Sequence, residues 1–485
     1  MRKLSILLFL FWTALGPAAS GQTLSAAGGA GKLKVTNPAG TPWTAVSNAD
    51  WITIPTKASG SGSAMVSFVA SKNSGAARTG TITAGRQTFY VQQEAAIAGG
   101  LVLSGSFPDL VSGAGWDTRM TLVDTGDQST EAVLNFLAQY GGSIDLPLFF
   151  PQQDNQVAGS TVDQYLNSNS LLVVDTPQPG NPGLEQGSTQ LLSRGGVDGF
   201  VAFTYASGET AAVPLETRNA NAYFLPFDNT NGVTTGVSIA NVSSISANIP
   251  VTVRDDTGAS VGTGTILVSP SGQTSFVLLN QYVFSAGIRG TVEFDTPQGT
   301  QLAVLGLRVS PSSGNDNFGL SPIPAFANLP AGIGSIAQIV SGGGWQTTIT
   351  LVNTGNAAAT AQLGFYNNQC APLSLPFSFP QSGNNAVASA LSETLAPGAM
   401  LVITTNDPNA SDAGSLQLTT TGQIGAFAIL RYNPTGTEAS LPLETRNAAS
   451  YLLPFDNTNG AGTGLALDQT RPQPFLSLSG MTQAI

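Results

Sequence analysis

Val111-Ser112-Gly113-Ala114-Gly115-Trp116-Asp117-Thr118, running on to Leu122-Val123-Asp124-Thr125-Gly126, returns 229 positions later as Val340-Ser341-Gly342-Gly343-Gly344-Trp345-Gln346-Thr347, running on to Leu351-Val352-Asn353-Thr354-Gly355. Each copy is a glycine-rich turn opening into a run in which Trp116, Met120 and Leu122, or Trp345, Ile349 and Leu351, share one parity. Period-two patterning bounded by glycine is the signature of a strand with one face in a core. Both tryptophans are therefore expected to point inward.

The duplication extends outward. Pro214-Leu215-Glu216-Thr217-Arg218-Asn219 and Leu225-Pro226-Phe227-Asp228-Asn229-Thr230-Asn231-Gly232 recur as residues 442 to 447 and 453 to 460. Within each long unit the line Thr235-Gly236-Val237-Ser238-Ile239-Ala240-Asn241 starts a second strand set. With 56 glycines and 29 prolines the chain cannot sustain long helices, and the fold class expected is all-β, a tandem of immunoglobulin-like β-sandwich modules. The boundaries read as 98–220 (A1), 221–328 (B1) and 329–447 (A2). Residues 448–485 open a further B-type repeat that reads as incomplete, as a truncated reading frame would be, leaving a strand edge able to self-associate.

Ahead of the repeats, all five lysines lie before residue 73, which marks residues 21–97 as a module of separate origin. It carries Trp43, Trp51-Ile52, Gly60-Ser61-Gly62, Val66-Ser67-Phe68, Asn73, Arg78-Thr79-Gly80-Thr81-Ile82-Thr83 and Val91-Gln92-Gln93 in that order. This line resembles the BACON domain over about 75 residues. The resemblance implies a small sandwich of exported bacterial proteins and, as ligand class, carbohydrate. The preceding residues, Met1-Arg2-Lys3, an apolar run from Leu4 to Leu15 and Ala18-Ala19-Ser20, have the three parts of a secretory signal peptide. Cleavage is expected after Ser20, giving a secreted or cell-surface protein.

Composition excludes several functions. Removing Arg2 and Lys3 takes the net charge from −11 to −13, which repels nucleic acid. No apolar run reaches the ~20 residues of a membrane span. The chain has no histidine, so Ser-His-Asp catalysis and histidine-ligated metals are ruled out, and Cys370 is the single cysteine. No cofactor is implied.

Three sets of residues could still carry function. Paired acids could cleave a glycoside, and Glu216 and Glu444 are the duplicated candidates, but each is followed two places on by arginine, so an ordinary surface ion pair is expected. The repeated Asp228, Asn229, Asn231 and Asp456, Asn457, Asn459 resemble a calcium loop weakly and a β-turn better. In the N-terminal module Trp51 and Tyr90 have parity opposite to Ile52 and Ile54, and to Phe89 and Val91, so if those neighbours are core both face outward as the best candidates for a sugar contact, core or rim packing being the alternative and favoured role. The leading functional reading is a non-enzymatic extracellular binding or adhesion protein with a polysaccharide or cell-surface glycan as partner. The alternative is a structural stalk or matrix scaffold, and a carboxylate-based glycosidase comes third.

Overall fold

The computed structural model describes residues 21–24, 29–54, 58–71, 73, 76–93, 100–127, 129–177, 183–311, 318–327, 329, 331–407, 411–446, 448–455 and 465–467. The signal segment, its cleavage site, Asp456, Asn457, Asn459 and the tail from 468 lie outside these residues. What is described is all-β and built as tandem sandwiches, with helix confined to one turn at Leu278–Gln281 and one at Val283–Ser285.

The N-terminal module faces a sheet of Gly29–Val35, Ala64–Ala70 and Ile52–Thr53 against a sheet containing Gln87–Gln93, Arg78–Ala84, Pro42–Ser47 and Ser59–Ser61. Alternation along Gln87–Gln93 puts Phe89 and Val91 inside with Ile82, Phe68 and Val66. Trp43 fills the floor of this core. Its Nε1 donates to the Gly62 carbonyl at 2.8 Å, and Gly60 is required beneath the indole because a Cβ there would stand 2.5 Å from Cζ2.

Modules A1 and A2 have the same ten-strand plan. In A1 the strands Asn155–Gly159, Leu146–Phe150, Leu171–Asp175, Trp116–Asp124, Val197–Tyr205 and Thr210–Pro214 form one layer, and Thr161–Leu166, Thr130–Ala138, Glu185–Ser193 and Val102–Ser112 the other. The quoted turn makes this possible, since Gly113, Ala114 and Gly115 all take φ between 52° and 87°. B1 is two four-stranded sheets, centred on Ala247–Asp255 with Arg289–Asp295 and on Thr234–Asn241 with Leu302–Pro311.

The three repeat modules do not hang separately on a string. Leu305 of B1 belongs to the A1 core, and Val352, Met400, Val402, Phe427 and Ile429 of A2 belong to the B1 core. Each such side chain contributes roughly 1.5–3 kcal/mol by leaving water, so these seams hold like domain interiors. The linker is locked as well. Glu216 exchanges both backbone hydrogen bonds with Ser106 at 2.9 and 3.0 Å, and Arg218 Nη2 donates to the Ala325 carbonyl at 2.9 Å.

Candidate functional site

Tyr90 is 47% exposed on the outer face of its sheet, opposite Thr81. Trp51 is half-buried against the N-terminal core, where the space beside Gly80 admits it. Gly80 pairs with Val91, whose side chain is buried, so Trp51 lies at the inner face and Tyr90 on the opposite one. The two aromatics do not form one platform. Parity failed for Trp51 because its strand is only Ile52–Thr53, and the tryptophan belongs to the turn before it. The indole is covered by the Arg78 guanidinium, 4.5 Å from the ring, and Arg78 Nε also donates to Gln93 Oε1 at 2.8 Å. The readable signal was Arg78-Thr79-Gly80, a cation and a gap two apart on one strand face.

Trp116 and Trp345 correct the inward expectation in part. Each begins its strand, stacking on a tyrosine at the module rim: Trp116 on Tyr205 at 4.9 Å and Trp345 on Tyr432 at 5.0 Å. Trp345 remains 41% exposed, whereas Trp116 is covered further where Phe318 of B1 meets Tyr205 at 5.8 Å.

Glu216 also departs from expectation. It is buried rather than on the surface, because B1 docks over the linker. Its Oε1 accepts from Arg218 Nε at 2.9 Å and from the Arg218 backbone N–H at 2.7 Å. The same pairing in the second copy, Arg446 Nε to Glu444 Oε1 at 3.0 Å, is largely exposed, and Arg446 holds Glu444 below the usual carboxylate range. Asp228, Asn229 and Asn231 form a turn. Asp228 Oδ1 accepts from the Thr230 N–H and hydroxyl, and the buried Asn229 accepts from the Thr235 N–H and donates to Ser285. Among the described residues no group of three or more His, Cys, Asp or Glu side chains comes together as a metal set.

Two recesses invisible in the sequence open at the seams. One, about 530 Å³, lies where A1, B1 and A2 meet, walled by aliphatic residues such as Leu215, Leu305, Ile323 and Leu443, with Phe326 and the mutually bonded Glu216 and Arg218. Its size and position between modules are those of sites that take an apolar body. The other, about 360 Å³, lies between B1 and A2 and is polar on one side, where Arg308, Arg431 and Glu438 converge. Both walls are assembled from residues more than 100 positions apart, so no local pattern marks them.

No family model matches the chain, and no curated protein matches it. Among solved structures, that of tripeptidyl peptidase 2 (TPP II) aligns with 89% of this chain at 9% identity and a TM-score of 0.16. This chain spans 40% of the length of that one, and similarity at this level carries no argument about fold or activity.

Proposed function

We propose that this is an exported, non-enzymatic binding or adhesion protein in which A1, B1 and A2 form a stiff base and the BACON-like N-terminal sandwich carries a glycan contact at Tyr90. The observation supporting it is the sharing of core residues across both seams of the base, which suits holding a binding module in place rather than moving through a catalytic cycle. Tyr90 supplies an exposed ring on a flat sheet face, which fits the apolar face of a pyranose. Polysaccharide or cell-surface glycan is the partner class. The same shared cores favour a second reading, a stalk or matrix scaffold without a small ligand.

A glycan array probed with the whole protein, wild type against Tyr90→Ala and Trp51→Ala, separates the two. Tyr90→Ala is expected to reduce retention with an unchanged melting temperature. Trp51→Ala is expected to lower the melting temperature, since it removes a ring packed on the core. Absence of retention by the wild type, or retention indifferent to Tyr90, replaces the binding reading with the scaffold.

A further inference from the structure

Asp109 lies in the seam between A1 and B1, on the strand Val102–Ser112, and is 7% exposed. Its carboxyl accepts hydrogen bonds from the Leu110 N–H at 3.0 Å, Gln273 Nε2 at 3.2 Å and Ser275 Oγ at 3.4 Å, and the Gln186 side chain also bonds to it. Around it the seam is stitched by Ser238 Oγ donating to the Pro108 carbonyl at 2.7 Å and the Gln273 N–H donating to the Gln139 carbonyl at 2.9 Å. Among the described residues no charged side chain bears on the carboxyl, and those that face it are neutral: Gln186 on Glu185–Ser193, Ser238 on Thr234–Asn241, Gln273 and Ser275 on Gln273–Val277.

A carboxylate buried without a cation is costly, and burial pushes the Asp109 pKa up to about 7. Once protonated, the carboxyl can donate its O–H to Ser275 Oγ, a hydroxyl 3.4 Å away that also bonds Ser238 Oγ at 2.9 Å and can act as acceptor as well as donor. At the same place in A2 the strand Ile333–Gly342 has Gln338, half-exposed and unable to titrate.

We propose that the A1–B1 seam is a proton-operated latch, closed while Asp109 retains its proton and loosened when the proton is lost. The sign follows from the direction of the shift. A carboxyl that holds its proton more tightly folded than unfolded contributes stability fully present below the unfolded value of ~3.9 and lost as pH rises through about 7. The chain has no histidine, so few other groups titrate between pH 6 and 8. The consequence is a base that is stiff in mildly acidic surroundings and articulated between A1 and B1 above neutrality.

The test is thermal melting and amide hydrogen exchange of the whole protein at pH 5.5 and 8.5, for the wild type, Asp109→Asn and Asp109→Gln. The wild type is expected to melt roughly 5 °C or more lower at pH 8.5, with exchange of Leu110–Ser112 and Gln273–Val277 accelerated beyond the intrinsic base catalysis. The neutral variants should lose that pH dependence, and the glutamine reproduces what A2 already carries. Should Asp109→Asn fail to fold, the local exchange of the wild type alone decides. A wild-type profile matching either neutral variant, or exchange in those two segments that follows intrinsic rates, overturns the latch.

Discussion

Glu438 is where the second seam can be broken by a change of one atom. Its side chain is 1% exposed, on the strand Thr437–Pro442 of A2. Arg308 Nη1 of B1 donates to both carboxylate oxygens at 2.6 Å, Arg431 Nη1 to Oε1 at 2.6 Å, and the hydroxyls of Ser310 and Ser321 at 2.9 and 2.7 Å. Glu438→Gln keeps the volume and removes the charge, leaving two guanidiniums, each about one-fifth exposed, facing one another without an anion. Breaking a buried pair from one side costs about 3–5 kcal/mol. Spread over the B1–A2 unit, that is a fall in melting temperature of roughly 6–20 °C. Calorimetry on the whole protein reads this fall, and replacing Glu438, Arg308 and Arg431 together by leucine or methionine should recover much of it, because the desolvation cost disappears with the charges. A loss below about 1 kcal/mol for Glu438→Gln would refute the claim that this cluster holds the seam. The pH dependence runs opposite to the latch. Burial alone would raise the Glu438 pKa, but Arg308, with Ser321 and Arg431, overrides it and holds the carboxyl below its usual range. The stability it contributes is present above the unfolded value of ~4.3 and is lost as pH falls through the lowered one.

Gly141 has φ of +85°, and a Cβ on it would lie 1.9 Å from the Pro270 carbonyl oxygen of B1. Gly141→Ala should therefore separate A1 from B1 at a cost of roughly 2–4 kcal/mol, seen as new proteolysis near residues 269–272, and unchanged resistance would show that the turn is not in contact. Tyr451, Leu453 and Phe455 are 55%, 52% and 69% exposed, whereas their counterparts Tyr223, Leu225 and Phe227 are buried in B1. Leu453→Asp with Phe455→Asp should lower self-association in sedimentation at equal concentration, and equal sedimentation would show that the segment drives none.

The alternation of Met120 with Leu122, the Gly113–Gly115 turn and the 229-residue repeat were enough to specify strands, sandwiches and their tandem order, because pleat and turn geometry depend on neighbours in the chain. What the repeat could not reveal is that identical segments meet different surroundings. Glu216 is buried because B1 docks over it and Glu444 is not, and Tyr223 is enclosed within the B1 sandwich whereas among the described residues no such sandwich encloses Tyr451. The same holds for Cys370, which stands in the turn position of Gly141 with φ of +61° and is tolerated because no Pro270 approaches it. The Asp109 and Glu438 clusters join residues as many as 166 positions apart, and the seam recesses are walled by residues farther apart still. Burial and charge pairing at such distances are set by how whole modules dock, which is a property of their folded faces and leaves no periodic trace along the chain.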